Sequence, residues 1–113
     1  MLGLNAARAY RARSADRNVR EQEADVFRRA TAALRQALSG SDLDRVRALA
    51  DNKLLWRTVV HSLRDPSNAL PASLKGSIIS VGLAVQRELE AEEPDLPFVI
   101  NVNEQIAAGL MSA

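Results

Sequence analysis

The sequence predicts an all-α protein, a single-domain bundle of four to five helices. Apolar residues recur at three- and four-residue intervals along most of the chain, which is the spacing of one face of an α-helix. The five glycines and four prolines among 113 residues lie mostly between these periodic segments, where they end helices. The chain is 47% hydrophobic and 26% charged, which is the composition of one globular domain covering residues 1–113.

A first long helix is expected from about Asp16 to Leu38, followed by a stop at Gly40. Its apolar positions recur at helical spacing and comprise Val19, Val26, Phe27, Ala30, Ala33, Leu34 and Ala37. Residues 1–15 precede it as either a separate short helix or a mobile arm, and the pattern favours neither.

The next helix is expected to start at Ser41, whose hydroxyl can cap the free backbone N–H groups of a first turn. Asp42 and Asp44 place negative charge there, which the helix dipole favours. The helix either continues to about Arg64 or breaks near Asn52. Its apolar stripe is predicted to comprise Leu43, Val46, Leu49, Trp56, Val60 and Leu63.

A turn is predicted at Asp65-Pro66, because proline disfavours the helical region for the residue before it. Pro71 then opens another helix, since a proline in the first turn loses no hydrogen bond. The expected core stripe of this helix is Leu74, Ile78, Val81, Val85 and Leu89, and the acidic segment with Pro94 ends it.

The last segment begins with residues 98–100, which are expected to form a short apolar bridge. Asn101 and Glu104 have the spacing of a capping box, which predicts a final short helix starting there. That helix places Val102, Ile106 and Leu110 on one side, and we expect it to close over the open end of the bundle.

Charge and composition exclude several classes of protein. The chain has no cysteine, so disulfides and thiolate metal sites are impossible. Residues 1–20 contain five arginines and one acid, whereas residues 88–113 contain six acids and no lysine or arginine, although the net charge is only +1. The N-terminus lacks the apolar core of a secretory signal, and no apolar run approaches the ~20 residues of a membrane span. We therefore expect a cytoplasmic protein that does not bind membranes.

Residues suited to catalysis are scarce. His61 is the only histidine, and Asp65 is its only close carboxylate, so the pair lacks a nucleophile and is not a triad. The sequence contains neither a cluster of metal-ligand residues nor a glycine-rich phosphate loop. We expect no enzymatic activity, no metal, no cofactor and no small-molecule substrate.

Three features indicate binding to macromolecules instead. The N-terminal arginines with Tyr10 provide a weak signal for RNA contact, because arginine neutralises phosphate and tyrosine stacks on bases. Trp56 is either a core residue or part of a partner groove. Asn52, one turn before it, can face solvent, cap a break in the helix or reach the backbone of another segment, and we expect the last of these, a structural latch.

A series of short motifs is spread over nearly the whole chain: Tyr10, residues 20–23, residues 52–56, residues 65–71, Leu74, residues 78–80, residues 100–101 and residues 109–110. In their order and spacing these motifs resemble the FlaF family of flagellar biosynthesis regulators. The chain departs from the family at Val102-Asn103-Glu104, where an isoleucine and a basic residue are more usual.

This resemblance implies a cytosolic factor that promotes flagellin synthesis and export and opposes FlbT, a translational repressor of flagellin messenger RNA. The ends of flagellin are amphipathic helices that polymerise when free, and a helical partner can mask their apolar stripe. Our leading hypothesis is a flagellin chaperone whose groove lies between the helix ending near Arg64 and the helix opened by Pro71. The alternative is a regulatory adaptor that acts through FlbT or flagellin messenger RNA. The predicted partner-binding set is Asn52, Trp56, Asp65, Asn68, Leu70 and Pro71.

Overall fold

Four helices make up the part of the chain that the computed structural model describes, which is the backbone of residues 3–112 and the side chains of residues 3, 5–8 and 21–110. They are α1 (Leu4–Ala37), α2 (Asp42–Arg64), α3 (Ala72–Leu89) and α4 (Leu96–Ser112). No strand occurs within residues 3–112. The predicted all-α bundle is confirmed, with four helices.

Helix α1 is one continuous helix of 34 residues, so residues 4–15 do not form the separate short helix that was one of two expectations. Neither glycine nor proline lies between Leu4 and Ala37, and nothing therefore interrupts the backbone hydrogen bonds. At 1.5 Å per residue α1 is about 51 Å long, and it gives the molecule its extents of 61 × 27 × 18 Å. Ala24 is its first buried residue among the described side chains.

Helix α2 begins as predicted and does not break. The Ser41 hydroxyl accepts a hydrogen bond from the Asp44 N–H at 3.1 Å, and the Asp44 carboxylate accepts one from the Ser41 N–H at 3.1 Å. Both halves of a capping box are thus present. The helix runs through Asn52 without interruption to Arg64, and the chain turns at Asp65.

The helices form an up-and-down bundle around one core. Helix α1 packs against both α2 and α4, while α3 packs against α2. An ion pair between Arg35 and Glu104 joins α1 to α4, and another between Lys53 and Glu90, at 3.6 Å, joins α2 to the end of α3. The most completely buried side chains of the core are Leu34, Trp56, Val85, Leu89, Leu96 and Val99.

Helix α4 starts six residues earlier than predicted, with Asp95 in place of Asn101 as the cap, so the apolar bridge and the capping box at Asn101 were wrong. Asp95 is the residue that caps it: its Oδ1 accepts a hydrogen bond from the Phe98 N–H at 3.1 Å. Pro97 is tolerated because it lies in the first turn. Asn101 consequently lies within the helix, and Glu104 pairs with α1 and not with a cap.

Two predicted apolar stripes are only partly buried. On α2 the buried line is Ala48, Asn52, Trp56, Val60 and Leu63. Leu43 and Val46 are exposed, because at about 100° per residue they lie about 140° and about 80° around the helix from Trp56. On α3 the stripe holds at Val85 and Leu89 but not at Leu74 and Val81, which are exposed. Val81 lies about 100° around the helix from Gly82, the residue that faces Trp56.

Candidate functional site

A buried chain of hydrogen bonds joins three helices at the middle of the bundle. Trp56 Nε1 donates to Asn103 Oδ1 at 2.9 Å, and Asn103 Nδ2 donates to Asn52 Oδ1 at 2.8 Å. Asn52 Nδ2 in turn donates to the Ala30 carbonyl of α1 at 3.1 Å and to the Ala48 carbonyl at 2.8 Å. All three side chains are 0% exposed. The predicted role of Asn52 as a latch to another segment is confirmed.

Trp56 is also the centre of the apolar packing. Its ring meets Phe27 of α1 edge to face, with centroids 5.6 Å apart. Helix α3 approaches it closely at Gly82, where an added Cβ would lie 2.8 Å from Val60 Cγ2 and 3.1 Å from Trp56 Cε3. The core interpretation of Trp56 is therefore the correct one.

The connection between α2 and α3 is held by its own side chains. Asp65 Oδ1 accepts hydrogen bonds from the Ser67 N–H at 2.9 Å and the Ser67 hydroxyl at 2.8 Å. These two bonds lower the pKa of the exposed Asp65 carboxyl, with smaller contributions from His61 and Lys75. Asn68 Nδ2 donates to the Ser62 carbonyl at 3.3 Å.

Asn68 also sets the position of Leu70, because its Oδ1 accepts a hydrogen bond from the Leu70 N–H at 3.1 Å. The short-range bonds of Asp65 and Asn68 form an Asx-type turn without positive φ angles. Pro71 follows as the N-cap residue of α3. The connection is thus a built turn that presents Leu70, which is 41% exposed, at one end of the bundle.

An apolar cavity of about 300 Å³ opens at that end, and we call it the end cleft. Its lining comes from all four helices and the α2–α3 connection: Glu23, Val26, Phe27, Leu55, Thr58, Val59, Ser62, Leu63, Asn68, Leu70, Ile78, Ile106 and Leu110. The last helix packs Val102, Ile106 and Leu110 against the core from one side, and Ile106 and Leu110 form one wall of the cavity. Helices α3 and α4 do not pack closely together, which is why the end is not sealed.

The end cleft combines aliphatic walls with a few polar groups on its rim. Glu23 is the only charged residue among the described residues that line it, and Thr58, Ser62 and Asn68 supply hydroxyl and amide groups. Glu23 forms no ion pair with any residue whose side chain is described. Such a site can bury apolar side chains and accept a positive charge beside them.

The structure separates the six predicted binding residues into two groups. Asn68 and Leu70 line the end cleft, Asp65 builds the turn beneath them, and Pro71 begins the neighbouring helix. Asn52 and Trp56 lie in the interior and expose no surface to a partner in this conformation. Their part is to hold α1, α2 and α4 together.

Several residues of the site were missed from the sequence. Asn103 was interpreted as part of a capping box, although its spacing of four from Val99 places it on the buried face once α4 begins at Leu96. Ile106 and Leu110 were recognised as one side of a helix but not as cleft residues. The groove was predicted to lie between α2 and α3. The lining of the end cleft also includes α1 and α4, and Ile78 is the one described residue that α3 contributes.

The two residues considered for catalysis, His61 and Asp65, both lie at the surface. His61 is exposed, and the Asp65 carboxylate accepts hydrogen bonds from Ser67 in the turn. Among the described residues, no three histidine, cysteine, aspartate or glutamate residues come together as a metal site. The arrangement of the end cleft is suited to binding.

Comparison with known families identifies the chain. The model of the family described as flagellar protein FlaF matches residues 6–110. The chain belongs to this family. No curated protein and no solved structure matches it. The match includes every residue of the end cleft, and none of the described helices of this FlaF-family chain is both long and apolar enough to span a membrane.

Proposed function

We propose that this FlaF-family chain is a cytoplasmic chaperone that binds flagellin, keeps it monomeric for export and promotes its synthesis, without catalysis of its own. The observation that supports the proposal is the end cleft, an open apolar cavity to which all four helices contribute residues. An open apolar cavity is the part of a small helical protein most suited to an amphipathic guest helix.

The size of the end cleft limits what it can hold. At about 300 Å³ it lies at the lower end of the range of ligand pockets, about 300–1,000 Å³. It therefore accommodates anchor side chains from one face of a helix and not a whole helix. The exposed residues Leu70 and Leu74 extend the apolar surface beyond the cavity, where the rest of the guest helix would lie.

Calorimetric titration of purified flagellin with the full chain tests the proposal. We expect a Kd below tens of micromolar, which corresponds to a binding free energy more favourable than roughly −6 kcal/mol. Leu70→Ser should weaken binding at least tenfold, because Leu70 lines the cleft and is exposed enough to be changed without loss of folding. Absence of binding by the wild-type chain would contradict the proposal.

Leu38→Ser is the matched control. Leu38 is an exposed leucine at the C-terminus of α1, at the opposite end of the bundle from the end cleft. Its substitution should leave the flagellin Kd unchanged within about twofold. Equal weakening by both variants would show that the end cleft is not the binding site.

The second candidate is an adaptor that acts through FlbT or flagellin messenger RNA. Its support is the basic N-terminal region, in which Arg8 is exposed on α1; the side chains of Tyr10 and the four following arginines lie outside the described residues. Titration with flagellin leader RNA at increasing salt decides this, because phosphate contacts make affinity fall steeply with salt. RNA binding without flagellin binding would favour the adaptor.

A further inference from the structure

The outward side of α2 carries an apolar stripe that the fold does not use. Leu43, Val46, Ala50 and Leu54 follow each other at intervals of three, four and four residues, so they lie on one face. The three large side chains are 55%, 62% and 61% exposed. Single exposed aliphatic residues are ordinary, but a continuous row of them is typical of an interaction surface.

A shallow cavity of about 400 Å³ lies beside this stripe, between α1 and α2. We call it the lateral trough, and it is lined by Val26, Arg29, Ala30, Asp51, Leu54, Leu55 and Thr58. It adjoins the end cleft, with which it shares Val26, Leu55 and Thr58, but Leu54 and Arg29 belong to the trough alone. A concave trough between two helices fits the ridge of a third helix better than the flat surface of a bilayer.

Two aspartates, Asp42 and Asp44, flank Leu43 at the start of the stripe, whereas arginines predominate near Leu54 and the trough. Arg29 lines the trough, Arg47 lies one turn before Asp51, and Arg57 follows one turn after Leu54. None of these three arginines forms an ion pair with a residue whose side chain is described. Asp51 is the one acidic residue of the trough. The complementary surface is therefore apolar with acidic residues beside it.

We propose that the outward stripe of α2 and the lateral trough form a second docking surface, which binds an acidic amphipathic helix of a partner protein. Leu54 and its neighbours receive the apolar face of that helix. Arg47 and Arg57 meet its carboxylates. This surface adjoins the end cleft and shares Val26, Leu55 and Thr58 with it, but Leu54 and Arg29 distinguish the two.

Two designed 18-residue helical peptides test this surface on the full chain. Both have leucines at intervals of three and four residues, and one has glutamate where the other has lysine. We expect fluorescence anisotropy to give at least tenfold tighter binding of the glutamate peptide, with an affinity that decreases as salt increases. Equal binding of the two peptides, or none, would overturn the proposal.

Variants locate the binding of the glutamate peptide. Leu54→Ser should weaken it at least tenfold, and Arg57→Glu should weaken it while strengthening binding of the lysine peptide. Leu70→Ser changes the end cleft alone and should have no effect. Loss of binding in Leu70→Ser with none in Leu54→Ser would assign the peptide to the end cleft and overturn the proposal.

Two further measurements address other occupants of the same surface. Cosedimentation with vesicles of phosphatidylcholine and phosphatidylglycerol (3:1) should show no binding; binding that Leu54→Ser abolishes would replace the partner helix with a membrane. Analytical ultracentrifugation should show the same mass for the wild type and Leu54→Ser. A wild-type dimer that Leu54→Ser dissociates would identify a second copy of this chain as the occupant.

Discussion

The middle of the bundle and its open end are built from the same helices but are packed in different ways. In the middle, Trp56 fills the core, and its N–H begins a chain of hydrogen bonds that joins α2, α4 and α1. At the end, residues of the same helices surround a cavity of about 300 Å³. The helices are in close contact around Trp56, whereas at the end cleft the space between them is not filled by side chains.

The comparison shows how a small bundle can remain folded while leaving apolar surface open. A fully satisfied buried network rigidifies the elements that it joins, and no buried side-chain nitrogen or oxygen among the described residues lacks a partner. The rigid middle thus holds α1, α2 and α4 apart at the end cleft. The first three predictions test whether stability resides in the middle.

The largest loss of stability is expected for Trp56→Ala. The substitution removes a fully buried ring, which costs about 3–5 kcal/mol, and leaves the buried Asn103 Oδ1 without its donor. Because typical domains are stable by only about 5–15 kcal/mol, much of the variant should be unfolded. Urea denaturation followed by circular dichroism measures this, and a loss below about 1 kcal/mol would show that Trp56 does not hold the core.

Alanine substitutions of two leucines compare the stability contributed by the packed core with that contributed by the lining of the end cleft. Leu89 is buried at the packed end of α3, so Leu89→Ala should cost about 2–5 kcal/mol. Leu110 lines the end cleft and is only partly buried, so Leu110→Ala should cost about 1 kcal/mol. Urea denaturation gives both losses of stability from the shifts in midpoint, provided that the dependence of unfolding free energy on urea has the same slope in each variant. Equal losses would mean that the two regions are packed equally well.

Alanine substitutions at two glycines of α3 should change the stability of the fold in opposite directions. Gly82→Ala places a Cβ within 2.8 Å of Val60 Cγ2, and such overpacking costs about 1–3 kcal/mol. Gly76→Ala meets nothing within 4 Å and should stabilise the helix by about 0.5–1 kcal/mol. Thermal unfolding measures both shifts. A stabilising Gly82→Ala would show that α3 is not held tightly against Trp56.

The smallest effect concerns the turn that supports the end cleft. The pKa of Asp65 is lower in the folded chain than in the unfolded chain, so its contribution to stability is present above the unfolded pKa of about 3.9. That contribution is lost as the pH falls through the folded pKa. The wild type should therefore exceed Asp65→Asn in stability at pH 6, with the difference narrowing below about pH 4. If the stabilities of the wild type and Asp65→Asn changed with pH in parallel, this role of Asp65 would be contradicted.

Local signals in the sequence predicted those parts of the fold that depend on local chemistry. The cap at Ser41, the turn at Asp65-Pro66 and the helix opened by Pro71 each follow from hydrogen bonds or constraints within a few residues. Asn52 was also recognised, because an amide in the middle of a helix needs a distant partner if it is buried.

Other features depended on long-range packing or were masked by a competing local signal. Pro94 was interpreted as a terminator, and the role of Asp95 as the cap of α4 was overlooked, which displaced the start of that helix. Asn101 and Glu104 have the spacing of a capping box but lie inside α4, where their neighbour Asn103 faces the core. The end cleft could not be predicted, because its opening depends on the distance between α3 and α4, which no short motif encodes.

Hydrogen–deuterium exchange of the full chain, with and without saturating flagellin, tests the central claim that the open end receives the guest. The account predicts new protection in the α2–α3 connection, in the first turns of α3 and near Leu110, with little change around the already protected Asn52. Protection confined to other regions, or no change on addition of flagellin, would contradict it.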